Sequence, residues 1–295
     1  RTSAPPQVKE TVKVDAGRLD ALVEMIGELV IAESMVSQAT ELRQHASAAL
    51  LAHLKELDKI TCELQEIGLS LRMIPLRSTF QKMARLARDV ARKADKQVEF
   101  IMFGEDTELD KMVVDQIGDP LIHMVRNAVD HGLEPDAEAR RAAGKPEVGR
   151  VELRAFHRGG KIYIEIEDDG RGLDRDAILA KARERGLVGP EDEPSDREVF
   201  QLIFHPGLST ARKVTDVSGR GVGMDVVRKN VEALRGQIDI QSRPGKGSIF
   251  TICLPLTLAI IDGMVLRVGN ERYIMPTLSI QTTIRAENGM ISSVH

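Results

Sequence analysis

The chain has 295 residues, of which 42% are hydrophobic and 29% are charged. That length accommodates one large domain or about two to three smaller ones, each with its own core. Lys and Arg number 41 against 45 Asp and Glu, and the two signs are interspersed, so nucleic acid is not an expected partner. Cys62 and Cys253 lack neighbours at metal-ligand spacing. With no signal peptide and no long apolar run, we expect a cytoplasmic protein without membrane insertion.

The N-terminal part predicts a linker followed by a helical hairpin. Residues 1–12 contain Pro5-Pro6 and little periodicity, as linkers do. Over residues 13–75, apolar residues recur at heptad spacing in two segments joined near residues 37–49, and Pro75 interrupts the second segment. These heptad residues are Leu19, Leu22, Ile26, Leu29 and Val36, then Leu57, Ile60, Leu64, Ile67, Leu71 and Ile74.

Such a hairpin cannot bury a continuous apolar seam alone. A homodimer that forms a four-helix bundle through residues 13–75 is the simplest completion. The alternative is a hairpin that lies on its own neighbouring domain.

Residues 76–256 alternate helical and strand patterns. Helices are predicted over residues 77–93, around His123 and over 224–234, and strands over 98–103, 150–156, 161–167, 237–241 and 248–254. Because hairpins are present, this pattern predicts an α/β sandwich with a sheet covered on one face, rather than a doubly wound parallel sheet. Residues 257–295 are again strand-rich, over 260–268 and 271–275, and predict an incomplete β segment. The chain starts without Met and stops soon after these strands, so we expect a piece of a longer protein.

The segment from His123 to His131 carries the first chemical motif. As a continuous helix it places His123, Asn127 and His131 at i, i+4 and i+8, on one side. The Asn127 amide oxygen suits Mg²⁺, and His123 could accept or relay a proton, although buried helix histidines are more often structural. Asp130 and His131 fall at the end of this helix. They would contact the nucleotide, or they would merely cap the helix or pair with Arg126.

Two glycine-rich motifs follow, while the P-loop and protein-kinase signatures are absent. Asp168 ends a predicted strand, and Gly170 and Gly172 permit a tight turn, so a carboxylate could accept from the exocyclic amine of adenine. Alone, this motif favours a plain strand-to-loop turn. The series Gly219, Gly221 and Gly223 precedes a helix whose free N–H groups could receive phosphates, and a flexible capping loop is the alternative.

Between these motifs lies a long irregular segment, about residues 186–218, which predicts a lid over the nucleotide. Arg212 or Lys213 would approach the triphosphate, although either could be a solvated charge. For Phe204, packing in the core is the favoured alternative to a nucleotide contact.

These motifs resemble, in order and spacing, the ATP-binding (GHKL) fold shared by gyrase, Hsp90, MutL and histidine kinases. Within that superfamily, residues 104–110, 123–134 and 218–227 closely resemble the CheA family of chemotaxis histidine kinases. Residues 71–76 and 256–261 also look like that family. The resemblance covers nearly the whole chain and implies a dimerisation hairpin over 13–75, a kinase domain over 76–256 and the start of a CheW-like regulatory domain over 257–295.

The resemblance implies ATP and Mg²⁺ as cofactors, with Asn127 as metal ligand, Asp168 for adenine and His123 in a catalytic role. His123 stands where hydrolytic relatives place a general-base Glu, which agrees with phosphoryl transfer to a protein. The nucleotide-binding residues expected on this basis are Arg126, Asn127, Asp130, His131, Asp168, Gly170, Gly172, Phe204, Ser209, Thr210, Gly219, Gly221, Gly223, Met224 and Thr251.

The resemblance also implies partners. No histidine precedes residues 71–76 where ordinary sensor kinases carry the phosphorylated one, so the acceptor is expected on a separate histidine phosphotransfer domain. Response regulators such as CheY or CheB would follow indirectly, and the C-terminal domain would bind a CheW-like adaptor and chemoreceptors, near membrane receptor arrays. The alternatives are a phosphate-releasing ATPase of the same fold and a scaffold whose nucleotide only tunes dimer contacts.

Overall fold

The structure, a computed structural model, describes residues 14–37, 39, 47–208, 223–256, 263–269, 271–277, 280, 282 and 283. The chain divides into two units, residues 1–257 and 258–295. None of the helices in the described ranges is long and apolar enough to cross a membrane.

The first unit begins with the predicted helical hairpin, made of α1 (Ala16–Ser37) and α2 (Ala48–Ser70). The Ser47 hydroxyl caps α2 by accepting from the N–H of Leu50 at 3.2 Å. The helices approach closely where Ile26 meets Gly68, because a Cβ at Gly68 would lie 2.6 Å from Ile26 Cδ1. Ile26 is accordingly buried, at 6% exposed.

Most of the predicted heptad seam does not enter the contact between α1 and α2. In this single chain the following residues are 39–61% exposed: Leu22, Leu29, Val36, Leu57, Ile60, Leu64 and Ile67. The hairpin therefore presents an apolar stripe that is too continuous for an isolated exposed surface.

The second helix ends earlier than the heptad pattern predicted. Its last residue is Ser70, and Leu71 caps it by donating to Ile67 O at 3.2 Å. Ile74 and Pro75 instead lie on β1 (Met73–Pro75), which pairs antiparallel with β3 (Glu108–Asp110). Helical geometry is unfavourable for Ile74 because it precedes a proline. The strand β3 then supplies a pairing partner for β1, which the sequence pattern could not reveal.

The rest of the first unit is a mixed α/β domain. Its remaining elements, in chain order, are α3 (Arg77–Lys93), β2 (Val98–Phe103), α4 (Lys111–Asn127), a π-helical turn (Ala128–Gly132), α5 (Ala137–Ala142), β4 (Gly149–Arg158), β5 (Lys161–Asp168), α6 (Arg175–Glu184), α7 (Asp196–Gln201), a 3₁₀ turn (Leu202–Phe204), α8 (Met224–Ala233), β6 (Gln237–Arg243) and β7 (Gly247–Pro255). The predicted lid segment thus contains α7, which Ser195 and Glu198 start with a capping box.

One five-stranded sheet organises this domain, in the order β2-β4-β5-β7-β6. Only β2 and β4 pair in parallel, and the other pairs are antiparallel. Along β5 alternate residues are buried, namely Ile162, Ile164, Ile166 and Asp168. That face joins the helices in one hydrophobic core with Phe80, Ile117 and Val231. The predicted sandwich, with its sheet covered on one face, is confirmed.

The second unit contains one antiparallel hairpin in its described part, β8 (Gly263–Val268) with β9 (Glu271–Pro276). Both strands were expected from the sequence, and residues 260–262 of the first lie outside the described residues.

The loop between β6 and β7 allows a matched test of close backbone approach. Gly245 and Gly247 both have positive φ, 73° and 99°, but only at Gly247 would a Cβ collide, 1.8 Å from Asp168 O. We expect Gly245→Ala to lower the free energy of unfolding by about 1 kcal/mol, through backbone strain alone. Gly247→Ala should cost roughly 3 kcal/mol or more, because β7 must also move away from β5. Urea unfolding of both variants measures this, and equal losses would contradict the predicted collision.

Candidate nucleotide site

The structure brings Asn127 and Met224 together. Asn127 is the last residue of α4, and its amide Nδ2 donates to Met224 Sδ at 2.9 Å. Met224 is the first residue of α8, and Gly223 before it is the N-cap. Among the described residues no side chain caps that end, so N–H groups of the first turn of α8 can bind an anion. Two predicted nucleotide-binding segments therefore meet.

The predicted continuous helix through His131 is wrong. After Asn127 the chain forms a π-helical turn, in which Leu133 N donates to Ala128 O at 3.0 Å, an i→i+5 bond. This wider turn breaks the i, i+4, i+8 register that was expected for His123, Asn127 and His131. The His131 side chain is 54% exposed and lies 3.6 Å from the Asp130 carboxylate, so these two residues pair with each other.

Two cations that the sequence analysis missed hold the carbonyl groups of this turn. Lys96 Nζ donates to Val129 O, Asp130 O and Leu133 O, at 3.1, 2.7 and 3.2 Å. Arg171 donates to His131 O through Nε and Nη2, at 3.0 and 2.7 Å. Burial lowers the pKa of Lys96, and Asp130 opposes that shift. Cations at the carboxyl end of a helix satisfy its free carbonyls and its dipole.

Asp168 lies at the end of β5 and is only 4% exposed. Its Oδ1 accepts from Gly170 N at 3.0 Å. Burial raises the pKa of this carboxyl to about 6, although hydrogen bonds from the backbone of Gly170 and Ser248 oppose the rise. A buried carboxylate with a strongly shifted pKa is the type of group that recognises a ligand donor.

Glycines allow the backbone to close around Asp168. A Cβ at Gly132 would lie 3.0 Å from the Asp168 carboxylate, and a Cβ at Gly170 would lie 2.1 Å from Gly132 O. Gly172 has a φ of 75°, and a Cβ there would lie 2.4 Å from Arg243 O. Gly170 and Gly172 were predicted to form the turn. Gly132 was not singled out, although its place in the His-Gly dipeptide after the helix was visible in the sequence.

Thr251 lies on the wrong face of the sheet for the predicted contact. It pairs with Glu165, three residues before Asp168, and successive residues of a strand point to opposite faces. Ser248, which pairs directly with Asp168, is buried on the same face. The register between β5 and β7 decides this choice, and we place Ser248, not Thr251, beside Asp168.

The other predicted site residues have more varied positions. Phe204 is 2% exposed and packs in the core, as the alternative expected. His123 is half-buried on α4, and burial, followed by the charge of Arg126, lowers its pKa. Ser209, Thr210, Gly219 and Gly221 lie outside the described residues, as do the lid cations Arg212 and Lys213.

The raised pKa of Asp168 predicts an unusual dependence of stability on pH. In the unfolded chain this carboxyl titrates near its ordinary pKa of about 3.9, so between about pH 4 and 6 the folded state holds a proton that the unfolded state has released. Stability due to this group is therefore largest below pH 4 and falls as pH rises through about 6.

Asp168→Asn removes this titration. Between pH 4 and pH 7.5, the free energy of unfolding of the unchanged protein should therefore fall by roughly 1–3 kcal/mol more than that of the variant. Urea unfolding at both pH values and equal protein concentration measures the difference. A difference that does not change with pH would show that Asp168 is not a buried carboxyl of raised pKa.

Two family descriptions match parts of the chain. Residues 116–258 match the family described as histidine kinase-, DNA gyrase B- and HSP90-like ATPase. Residues 9–71 match the homodimeric domain of signal-transducing histidine kinases.

The chain is similar to curated proteins that are named CheA or CheAY. The chain is 46% identical to the chemotaxis protein CheA of Rhizobium meliloti, over 96% of this chain and 37% of that protein. It is 46% identical to CheA of Salmonella typhimurium, over 93% of this chain and 41% of that protein. It is 44% identical to the sensor histidine kinase CheAY of Helicobacter pylori, over 97% of this chain and 37% of that protein. The chain is similar to these CheA and CheAY proteins over nearly its whole length, and it spans about two fifths of theirs.

Proposed function

We propose that this chain is the dimerising, ATP-binding core of a protein histidine kinase. It transfers the γ-phosphoryl group of ATP to a histidine on a separate phosphotransfer domain, in chemotaxis signalling. The contact between Asn127 and Met224 at 2.9 Å carries the proposal, because it joins the carboxyl end of α4 to the amino end of α8. We assign residues 13–75 to dimerisation, 76–256 to the kinase domain and 257–295 to the start of a CheW-like regulatory domain, after a linker over 1–12.

The base of the nucleotide is assigned to the end of β5. A buried Asp168 carboxylate is a strong acceptor for the exocyclic amine of adenine, and Ser248 lies beside it on the same face. Gly170 and Gly172 keep side chains out of this region. The phosphates are assigned to the amino end of α8, after the series Gly219, Gly221 and Gly223.

Mg²⁺ is assigned to Asn127. Its Nδ2 faces Met224, which leaves the amide oxygen as a neutral, hard ligand. In the described part of the chain, no cluster of three or more His, Cys, Asp or Glu could hold a metal ion. A site with one protein oxygen suits Mg²⁺, which prefers waters and substrate phosphates for its remaining ligands. When bound, the cation would neutralise charge on the phosphate oxygens.

His123 is assigned to proton handling. Burial and the neighbouring Arg126 lower its pKa, so the imidazole is neutral at pH 7 and can accept a proton. Transfer to a protein acceptor needs positioning more than activation of water, and a neutral imidazole activates water less strongly than a carboxylate base. Arg126, Asp130 and His131 remain proposed contacts at the same end of α4.

The C-terminal unit is proposed to bind a CheW-like adaptor and, through it, chemoreceptors. The relatives include chemotaxis proteins, and β8 and β9 form a hairpin where the sequence predicted strands. Response regulators of the CheY or CheB type would then receive the phosphoryl group from the phosphotransfer domain.

The activity can be tested with labelled ATP, Mg²⁺ and a separate CheA-type phosphotransfer domain. We expect acid-labile, alkali-stable label on the added domain. Asn127→Asp should reduce the rate by about 100-fold or more, because a carboxylate near the phosphates replaces a neutral metal ligand. Asn230→Asp makes the same chemical change two turns into α8 and should retain activity. Label at the full rate with Asn127→Asp would refute the assignment.

Dimerisation can be tested on the apolar stripe. Ile67, which is 61% exposed, should bind a second copy of the chain, so Ile67→Arg should shift the mass in solution from dimer to monomer. A buried unpaired charge costs several kcal/mol at such an interface. Glu66→Arg introduces the same side chain next to Ile67 but outside the apolar stripe, about 100° around α2, and is the matched control. Sedimentation at several concentrations measures the mass, and a dimer that survives Ile67→Arg would place the interface elsewhere.

A further inference from the structure

The two consecutive aspartates at the end of β5 have different surroundings. Asp168 is buried beside Gly132 and Gly170. Asp169 instead binds the guanidinium of Arg140 in bidentate geometry, with Oδ1 3.1 Å from Nη1 and Oδ2 2.7 Å from Nη2. Asp169 Oδ1 also accepts from the backbone N–H of Arg150 at 2.9 Å. Asp169 thus anchors the strand end from which Asp168 projects.

Arg140 is almost fully buried, at 3% exposed. Besides Asp169, it donates to Glu134 Oε2 at 2.6 Å, Pro146 O at 2.7 Å and Val148 O at 3.3 Å. A guanidinium has five N–H donors in a rigid fork, and this structure supplies five acceptor contacts. Lysine at this position could keep the charge but not the fork.

A second cation holds the backbone of the same loop. Lys145 Nζ donates to Asp169 O and Gly170 O, each at 2.6 Å, and to Glu134 Oε1 at 2.7 Å. Glu134 is 7% exposed and bridges Lys145 to Arg140. Two cations and two anions therefore balance in one network, in which Arg140 and Glu134 are buried and Lys145 is bound to the peptide groups that follow Asp168.

Such a network is a weak source of net stability, since burying the charges of Arg140 and Glu134 costs much of what their pairing returns. Its distinctive property is geometry, because bidentate and multiple hydrogen bonds fix the direction of each group. The loop that it fixes contains Gly170, whose N–H binds the Asp168 carboxylate at 3.0 Å.

We propose that Arg140, Lys145, Glu134 and Asp169 are positioning residues that aim Asp168 at the adenine amine and so set the selectivity for the base. This inference rests on the proposed ATP site. The hydrogen bonds of these four residues given above are with one another and with the backbone of residues 146, 148, 150, 169 and 170, not with α8, so their loss should weaken recognition of the base and leave triphosphate binding largely intact.

The test compares ATP with purine riboside triphosphate, which lacks only the exocyclic amine. Isothermal titration calorimetry on the full chain gives the ratio of the two affinities. We expect the unchanged protein to favour ATP, and Arg140→Lys and Asp169→Asn each to reduce that preference by about tenfold, the factor that one charge-assisted hydrogen bond contributes. Asp169→Asn is the milder change and keeps one acceptor oxygen, should Arg140→Lys fail to fold.

Arg141→Lys is the matched control, because the neighbouring Arg141 is 62% exposed and pairs with Glu147 at 3.4 Å. It should retain the preference for ATP. An unchanged preference in Asp169→Asn, or equal weakening of both nucleotides in the folded variants, would show a merely structural network and overturn the inference. If the unchanged protein binds neither nucleotide, the proposed function itself fails.

Discussion

The site depends on keeping an acidic side chain buried at the end of a central strand. Asp168 is enclosed by the backbone of Gly132, Gly170 and Gly247, and a side chain at Gly170 or Gly247 would collide with backbone atoms. The register of β5 with β7 adds Ser248 on the same face. A carboxylate in such surroundings is costly to ionise, and a ligand that donates a hydrogen bond to it offsets that cost.

Around this carboxylate, four cationic side chains hydrogen-bond to nearby segments of the chain. Lys96 and Arg171 hold the carbonyls of the π-helical turn, and Arg140 and Lys145 hold the loop after β5. Both segments carry irregular backbone, whose polar groups need partners when they are buried. The helix that ends at Asn127 and the strand that ends at Asp168 are thereby kept in fixed positions. The proposed site for a rigid nucleobase requires this.

The helical hairpin, unlike the α/β domain, leaves many of its apolar side chains exposed. Its buried apolar residues are Val23, Ile26 and Leu69, and most of its predicted heptad seam is exposed. In the described residues the hairpin therefore leaves an apolar stripe unburied, whereas the α/β domain closes its own core around Phe80 and Ile117. Folding of the α/β domain and burial of the hairpin stripe are separable in physical terms, since each uses a different apolar surface.

Local patterns in the sequence determined the elements. The amphipathic period of residues 77–93 and the strand-like apolar run of 98–103 predicted the bounds of α3 and β2, and motif spacing brought Asn127, Met224 and Asp168 into one hypothesis. Tertiary structure alone decided which face Thr251 occupies, that the helix widens after Asn127, and that Arg140 is buried while Arg141 is exposed. Strand register, the carbonyls that Lys96 binds and the burial of a charge depend on residues distant in sequence, so periodicity and propensity cannot determine them.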